Sequence, residues 1–394
     1  MNLEKIYISG VGSISALGAS HTEVRNSYQR STACIRPVSF GVKEFPVAKL
    51  SEPGELAIAR ILEQDLHFAG LDQTALFGIH AARAALMDAG WRVGEKQIGV
   101  SMGSSRGATT LFERYHRAFL EHAKQRVPVL TSPTTTLGNI SSNIAHSLGV
   151  SGPAISHSVT CSSALQALAN SVAWIRAGMC ERFVVGGSEA PLTPFTLAQM
   201  EALRIYAQEP LGGWYCRPCS AEENRGNTFV LGEGAAVFCI ESSATLQKAP
   251  RAEILGIALG LENPNTATAL SQSGTALKRA MKEALSQLVS GEGIDLVVLH
   301  APGTEQGDRG ELEAIYQTFG ATPPVLTSNK WLIGHTLGAS AALSLEYAIN
   351  ILESGAYAEF PYPVPFRNTP RPISRIMVNA AGFGGNAASI VIGR

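Results

Sequence analysis

Cys161 lies in Ser158-Val-Thr-Cys-Ser-Ser-Ala-Leu165, which opens an apolar helical stripe of Leu165, Leu168, Ala169, Val172 and Ile175. A thiol there sits at a helix N-terminus, where the dipole and the free N–H groups of the first turn favour the thiolate, the nucleophilic form. Two distant histidines stand in equally uncommon settings. His300 is in Val-Val-Leu-His-Ala-Pro-Gly-Thr, and His335 is in Asn-Lys-Trp-Leu-Ile-Gly-His-Thr-Leu-Gly. One nucleophile and two histidines, each at the edge of an ordered element, make a covalent-catalysis pattern.

The elements around these residues repeat. The first half opens with a strand from Ile6, then a helical stretch at 76–89, a strand at 98–102, the Cys161 helix and a strand from Phe183. The second half gives a strand at 252–259, a helix at 274–290, a strand at 295–300 and a helix predicted from about His335 to Leu352. Strands alternating with helices imply an α/β protein with mixed sheets covered on both faces. The expected division is 1–249, carrying the nucleophile, and 250–394, carrying both histidines. In this register Cys161 and His335 each start the third helix of their half, and a pseudo-twofold brings both helix starts to the centre.

Composition fits that reading. Of 394 residues, 45% are hydrophobic and 16% charged, enough for a sizeable core with little left for disordered tails. A net charge of −1 argues against a nucleic-acid partner held by counterion release. The N-terminal residues lack a basic stretch followed by an apolar run, and nothing later approaches the roughly 20 uncharged apolar residues of a membrane span. A soluble, cytoplasmic protein is expected. The six cysteines do not form a disulfide framework, and Cys216-x-x-Cys219 lacks the two further ligands a zinc site needs, so no metal is expected.

Six motifs occur in order: Thr160-Cys-Ser-Ser163, Gly186-Gly-Ser-Glu189, Phe229-Val-Leu-Gly-Glu-Gly-Ala235, His300-x-x-Gly-Thr304, Lys330-x-x-x-Gly-His335 and Gly382-Phe-Gly-Gly385. Together they resemble the elongating β-ketoacyl-acyl carrier protein synthases of the thiolase fold, over nearly the whole chain. The resemblance implies a five-layered α-β-α-β-α duplication, normally dimeric, that condenses an acyl group on Cys161 with malonyl-acyl carrier protein by decarboxylation. It assigns His300 and His335 as N–H donors to the enolate oxygen. It assigns the backbone N–H groups of Cys161 and Phe383 to the oxyanion of acyl transfer. Lys330 would keep His335 neutral, with Glu311 as the lysine's partner and Asp308 in the same supporting segment. Thr304 would hydrogen-bond the phosphopantetheine arm, while Ala381 and Gly384 would border the acyl group. No separate cofactor is implied.

Several positions depart from the family pattern. Pro302 replaces a threonine, Ala381 an aromatic gate, Ser344 a glutamate, and Ser340-Ala341 the usual Ala-Gly. None removes a catalytic group, and together they point to a specialised substrate. The resemblance therefore leaves two settings open: a fatty-acid or polyketide elongating enzyme, or the ketosynthase subunit of an aryl polyene or polyketide system paired with a chain-length factor. A non-catalytic partner subunit would lack the nucleophile. A degradative thiolase would carry a second cysteine near the C-terminus, whereas the last one here is Cys239. The implied partners are an acidic acyl carrier protein and a second subunit, identical or chain-length-factor-like. Basic docking candidates are Lys124, Arg126, Arg204, Lys278, Arg279, Lys282 and Arg83.

Overall fold

The computed structural model describes residues 4–95, 97–222, 226–263 and 273–394. Ten strands form one mixed sheet: β1 (Ile6–Ser15), β2 (Ile98–Gly103), β3 (Ala154–His157), β4 (Arg182–Glu189), β5 (Gly234–Ser242), β6 (Ala252–Leu261), β7 (Leu296–Val298), β8 (Val325–Thr327), β9 (Arg375–Gly382) and β10 (Asn386–Gly393). Their spatial order is β8-β7-β9-β10-β6-β1-β5-β4-β2-β3. Outward from the β1–β6 junction the two halves follow one plan, β1-β5-β4-β2-β3 and β6-β10-β9-β7-β8. The pairings correspond as well. The inner pairs β1–β5, β5–β4, β6–β10 and β10–β9 are antiparallel, and the outer pairs β4–β2, β2–β3, β9–β7 and β7–β8 are parallel. The halves join through three residue pairs, Ile6↔Ile254, Tyr7↔Glu253 and Ile8↔Ala252.

Six helices matter for the site: α1 (Gln73–Ala89), α2 (Ser163–Arg176), α3 (Pro194–Ala202), α4 (Thr275–Leu285), α5 (Glu305–Phe319) and α6 (Ser340–Ser354). Helix α1 covers β1 and β5, and α4 covers β6 and β10 in the same way. Helices α2 and α6 pack on each other between the two halves of the sheet. Strand side chains alternate accordingly. Phe183 and Val185 point to the central layer with Leu165, Leu168, Leu345 and Ile349, whereas Val184 joins Ile79 and Leu86 of α1. In the second half Val298 and Val378 face the centre, while Val297 and Met377 face Met281 of α4. Each fully buried aliphatic side chain of this kind stabilises the fold by roughly 1.5–3 kcal/mol. The result is the five-layered α-β-α-β-α thiolase architecture.

The outer helices sit unusually close to their strands. A Cβ at Gly10 or Gly12 of β1 would lie 2.3 Å from the Ala85 carbonyl oxygen or 2.2 Å from that of Ala81, and one at Gly256 or Gly260 of β6 would meet Ala284 or Ala276 at 2.4 or 2.1 Å. The same close approach is built twice, from Gly-x-Gly in one half and Gly-x-x-x-Gly in the other.

The second half departs from expectation around His335. The predicted helix from His335 to Leu352 is three pieces: one turn at Lys330–Ile333, a 3-10 turn at Leu337–Ala339, and α6 from Ser340. Gly334 breaks the run at φ 65°, and its carbonyl-side neighbours pair elsewhere. The His335 N–H donates to the Val230 carbonyl at 2.7 Å, and the Gly232 N–H donates to the His335 carbonyl at 3.1 Å. His335 therefore lies in an extended segment held by Leu231–Gly232, ahead of α6. Lys330 starts the one-turn helix.

Candidate active site

Cys161 follows Thr160, which has φ 51°, a left-handed conformation that a β-branched residue rarely adopts. The turn is tied locally. Ser163 N–H and Oγ both donate to the Thr160 carbonyl at 3.3 and 2.6 Å, and the Val159 N–H donates to Ser163 Oγ at 2.9 Å. This turn delivers Cys161 to the start of α2, whose first residue is Ser163. Thr160 Oγ1 donates to the Phe383 carbonyl at 3.3 Å, and a Cβ at Gly382 would lie 2.0 Å from that same Oγ1 and 3.1 Å from the Cys161 nitrogen. The C-terminal end of β9 is thus pressed against the backbone of the nucleophile, bringing Phe383 to Cys161 across the two halves.

Cys161, His300 and His335 line one cavity of about 550 Å³, with Thr304, Ala381 and Phe383 also in its wall. The imidazoles of His300 and His335 meet edge to face, with ring centroids 5.3 Å apart. His335 Nδ1 accepts the Leu337 N–H at 3.0 Å, so in the neutral ring the proton resides on Nε2. Phe229 packs on the His335 ring at 5.1 Å. Burial lowers the pKa of both histidines well below the ordinary value, and the Lys330 ammonium adds to the effect. Two neutral imidazoles therefore share the cavity with the thiol.

The Cys161 thiol is shifted in the direction opposite to that expected from its helix position. Cys161 is half-buried in the cavity wall, where desolvation pushes its thiol up to about 12, the Glu189 carboxylate adds to the rise, and Lys330 opposes it. The half charge of a helix end is outweighed by loss of solvent and by a buried anion.

Lys330 is buried, with burial drawing its own pKa down to about 8, and its Nζ donates to the Leu299 carbonyl at 3.4 Å. Glu311 was expected as its ion partner and is not within contact. The Glu311 carboxylate instead accepts the His300 N–H at 2.9 Å, the Ala301 N–H at 2.6 Å and Asn379 Nδ2 at 3.1 Å. It fixes the backbone that carries His300 and reaches Lys330 only through its field. Asp308 serves the next turn, accepting the Gly303 N–H at 3.0 Å and the Cys219 N–H at 2.8 Å. Thr304 caps α5, its hydroxyl oxygen accepting the Gly307 N–H at 3.2 Å, which leaves the hydroxyl proton free to donate into the cavity.

Gly384 does not line the cavity. It lies in the exposed turn between β9 and β10 with φ 81°, a turn requirement and not an approach to an acyl group. Ser344 donates to Asn329 Oδ1 at 3.1 Å inside a buried network with Tyr28. Among the docking candidates, Lys124, Arg126 and Arg204 are exposed, and Arg204 falls between the cavity-lining Leu203 and Ile205. Arg83 is held by Ser147 and lies over Phe68. Arg279 pairs with Glu283.

Glu189, which closes the Gly186-Gly-Ser-Glu189 motif without a chemical role evident from sequence, is the hub of the site. Its fully buried carboxylate accepts from Ser104 Oγ at 2.9 Å, the Ser105 N–H at 2.6 Å, Ser105 Oγ at 2.9 Å, the Arg106 N–H at 3.0 Å and the Gly338 N–H at 2.9 Å. It ties the loop after β2 to the approach of α6. The sequence signal was a carboxylate ending a strand of small residues, which has to be either buried and satisfied or functional. Phe229 and Arg106, both in the cavity wall, were also passed over. Among the described residues no group of three or more His, Cys, Asp or Glu is placed to hold a metal ion, and no helix is long and apolar enough to cross a membrane.

Comparison with known proteins adds the following. The family model described as "Beta-ketoacyl synthase, N-terminal domain" matches residues 4–245, and that described as "Beta-ketoacyl synthase, C-terminal domain" matches 251–360. The chain is 28% identical to "Nodulation protein E" of Rhizobium sp. (strain N33), covering 89% of this chain and 87% of that protein. It is 26% identical to "3-oxoacyl-[acyl-carrier-protein] synthase 2" of Staphylococcus aureus (strain COL), covering 98% of each. Among solved structures, "The ishigamide ketosynthase/chain length factor" superposes with a TM-score of 0.82 over 99% of both chains at 22% identity.

Proposed function

Since the chain belongs to the β-ketoacyl synthase family, we propose that Cys161, His300 and His335 carry out its decarboxylative condensation. In the first half-reaction the Cys161 sulfur attacks the carbonyl of an acyl thioester on an acyl carrier protein. A new C–S bond forms, the old one breaks, and the carrier thiol leaves with the proton that Cys161 gave up. The raised thiol pKa makes that proton loss part of the step, with a neutral imidazole of the cavity as its acceptor. The N–H groups of Cys161 and Phe383 bind the oxyanion.

In the second half-reaction the bond from the malonyl carbon to its carboxylate breaks, CO₂ departs, and the electron pair becomes an enolate whose oxygen takes N–H bonds from His300 and His335. Donors held neutral and pre-aimed stabilise this charge without reorganisation. The enolate carbon attacks the acyl carbonyl on Cys161, forming the C–C bond and releasing the thiolate. The observation that carries this reading is the His335 tautomer, with Nδ1 committed to Leu337 and Nε2–H left to donate.

The substrate arm is phosphopantetheine on the carrier protein, with Thr304 as a hydrogen-bond donor to it and Arg204 beside the cavity mouth as a carrier contact. Residues 1–249 and 250–394 act as one catalytic unit, each supplying half of the site. Among the described residues the outer edge of β3 is unpaired in the sheet, and a second subunit, identical or chain-length-factor-like, covers it. The name of the ishigamide complex, in which a ketosynthase and a chain length factor occur together, supports the second form.

The test is intact-protein mass spectrometry after mixing with acyl-carrier thioester, followed by malonyl-carrier thioester. Acyl mass on Cys161 and its loss as 3-oxoacyl product are expected. Acylation elsewhere, or none with any thioester, overturns the assignment.

A further inference from the structure

Within the cavity wall the aliphatic and aromatic side chains of Met200, Leu203, Ile205, Phe229 and Leu337 dominate, and among the described residues Arg106 is the one Lys, Arg, Asp or Glu side chain there. Its backbone is fixed by Glu189, which accepts the Arg106 N–H at 3.0 Å. Its guanidinium is aimed by α3, donating to Thr196 Oγ1 at 3.3 Å and to Gln199 Oε1. A guanidinium has five N–H donors, so two contacts with neutral acceptors leave it neither saturated nor neutralised. Both of its side-chain hydrogen bonds go to neutral oxygens, and no ion pair to a carboxylate is formed among the described residues. Glu189 and Glu113 act on it only through their fields, and partial burial of the side chain draws its pKa down.

The wall also carries neutral polar side chains, among them Ser105, Asn227, Thr304 and Gln306, but a permanent cation in it makes plain alkyl chains poorer occupants than oxygenated ones. Such a chain strips water from the guanidinium and returns nothing, whereas an acceptor oxygen returns a charge-assisted hydrogen bond. We propose that Arg106 is a specificity-determining residue that selects acyl groups bearing an acceptor oxygen, keto or carboxylate, away from the thioester. The inference rests on acylation of Cys161 as proposed above. It also explains why the side chain is anchored at both ends: a specificity group has to be aimed before the substrate arrives. Thr196 and Gln199 hold the head group, and Glu189 holds the loop.

The experiment compares acylation of Cys161 by three carrier thioesters of equal length: a saturated alkyl chain, the chain with a mid-chain ketone, and the chain ending in a carboxylate. Rates are read by intact-protein mass spectrometry. The native protein is expected to favour at least one oxygenated chain over the alkyl chain by roughly ten- to a hundredfold, the range for losing a hydrogen bond to a charged group. Arg106→Met should abolish or invert that ratio, and Arg106→Lys should restore part of it, which a merely structural role would not do. A native ratio near one, or one untouched by Arg106→Met, overturns the inference while leaving the catalytic reading intact. Equal slowing of all three thioesters by Arg106→Met would place the arginine on the common carrier arm and also overturn it. Absence of acylation with every chain sinks both readings together.

Discussion

His335 Nδ1 and the Leu337 amide nitrogen are 3.0 Å apart, and this single backbone contact decides which face of the imidazole can act on a substrate. The Leu337 backbone adopts φ 45° to make it, so the tautomer is set by the turn between the Lys330–Ile333 helix and α6. No second side chain is needed as orienter.

That contact separates two conservative replacements. In His335→Gln the side-chain amide can place an N–H near the position of Nε2, whereas in His335→Asn the shorter amide can only satisfy Leu337. The glutamine variant should keep measurable malonyl decarboxylation and the asparagine variant should lose roughly 100-fold or more, the usual loss for an oxyanion donor. CO₂ release from malonyl-carrier thioester measures it. Equal activity in both would show that Nε2 is not the working donor.

Lys330→Met moves three groups the same way. Without the ammonium, the His335 and His300 pKa values rise because repulsion of imidazolium is gone, and the Cys161 pKa rises because an attraction to thiolate is gone. Condensation requires neutral histidines, so its acid limb should shift to higher pH than in the native protein. Iodoacetamide labelling of Cys161 at a fixed pH near 8 should slow. Opposite shifts, or an acid limb that stays in place, would remove Lys330 from the electrostatics of the site.

Glu189→Gln exchanges an acceptor of five hydrogen bonds for a group with one acceptor oxygen and an NH₂ that can only donate. The misplaced N–H₂ faces backbone donors, at a cost of about 1–3 kcal/mol in stability, read by denaturant melts. The same change removes an anion that holds the Cys161 thiol up, so iodoacetamide labelling of Cys161 should accelerate even as stability falls. Slower labelling would contradict the charge argument.

Ala381→Phe should narrow the cavity where Ala381 now contributes a methyl group, 8% exposed. Each methylene excluded costs roughly 0.8 kcal/mol, about fourfold in acylation rate. Rigid polyenoyl thioesters should lose more than flexible saturated ones of the same length. The ratio of the two acylation rates is the measurement, and an unchanged ratio would show that the space at Ala381 is not used by the acyl chain.

Much of the fold could be read from the sequence because the duplication repeats element by element, and periodicity at Val184 or Leu168 reports which layer a side chain joins. The path from Lys330 to α6 could not. Its apolar run looks helical, and only Gly334 with the carbonyl of Val230 breaks it, a contact between segments about a hundred residues apart. The site divided along the same line. Cys161 and the two histidines announce themselves by type and setting. The charge state of Cys161 depends on enclosure and on Glu189, and the duty of Glu311 depends on which amides surround it. Both follow from three-dimensional neighbours that no local pattern encodes. Arg106 was passed over because an arginine in a loop is usually solvated, and only the cavity wall shows otherwise.

The junction of the two halves in the sheet consists of three residue pairs at the starts of β1 and β6. A seam that short sets an angle but does little to set a separation. The spacing between sulfur and imidazole is therefore gauged by the thickness of the central layer, where α2 packs on α6 and Leu165, Leu168, Leu343 and Leu345 belong to one apolar core. Those leucines lie outside the cavity wall. A methyl group added or removed among them would act as a shim under the reaction coordinate, which makes the middle of the sandwich a tuning element for chemistry performed at its rim.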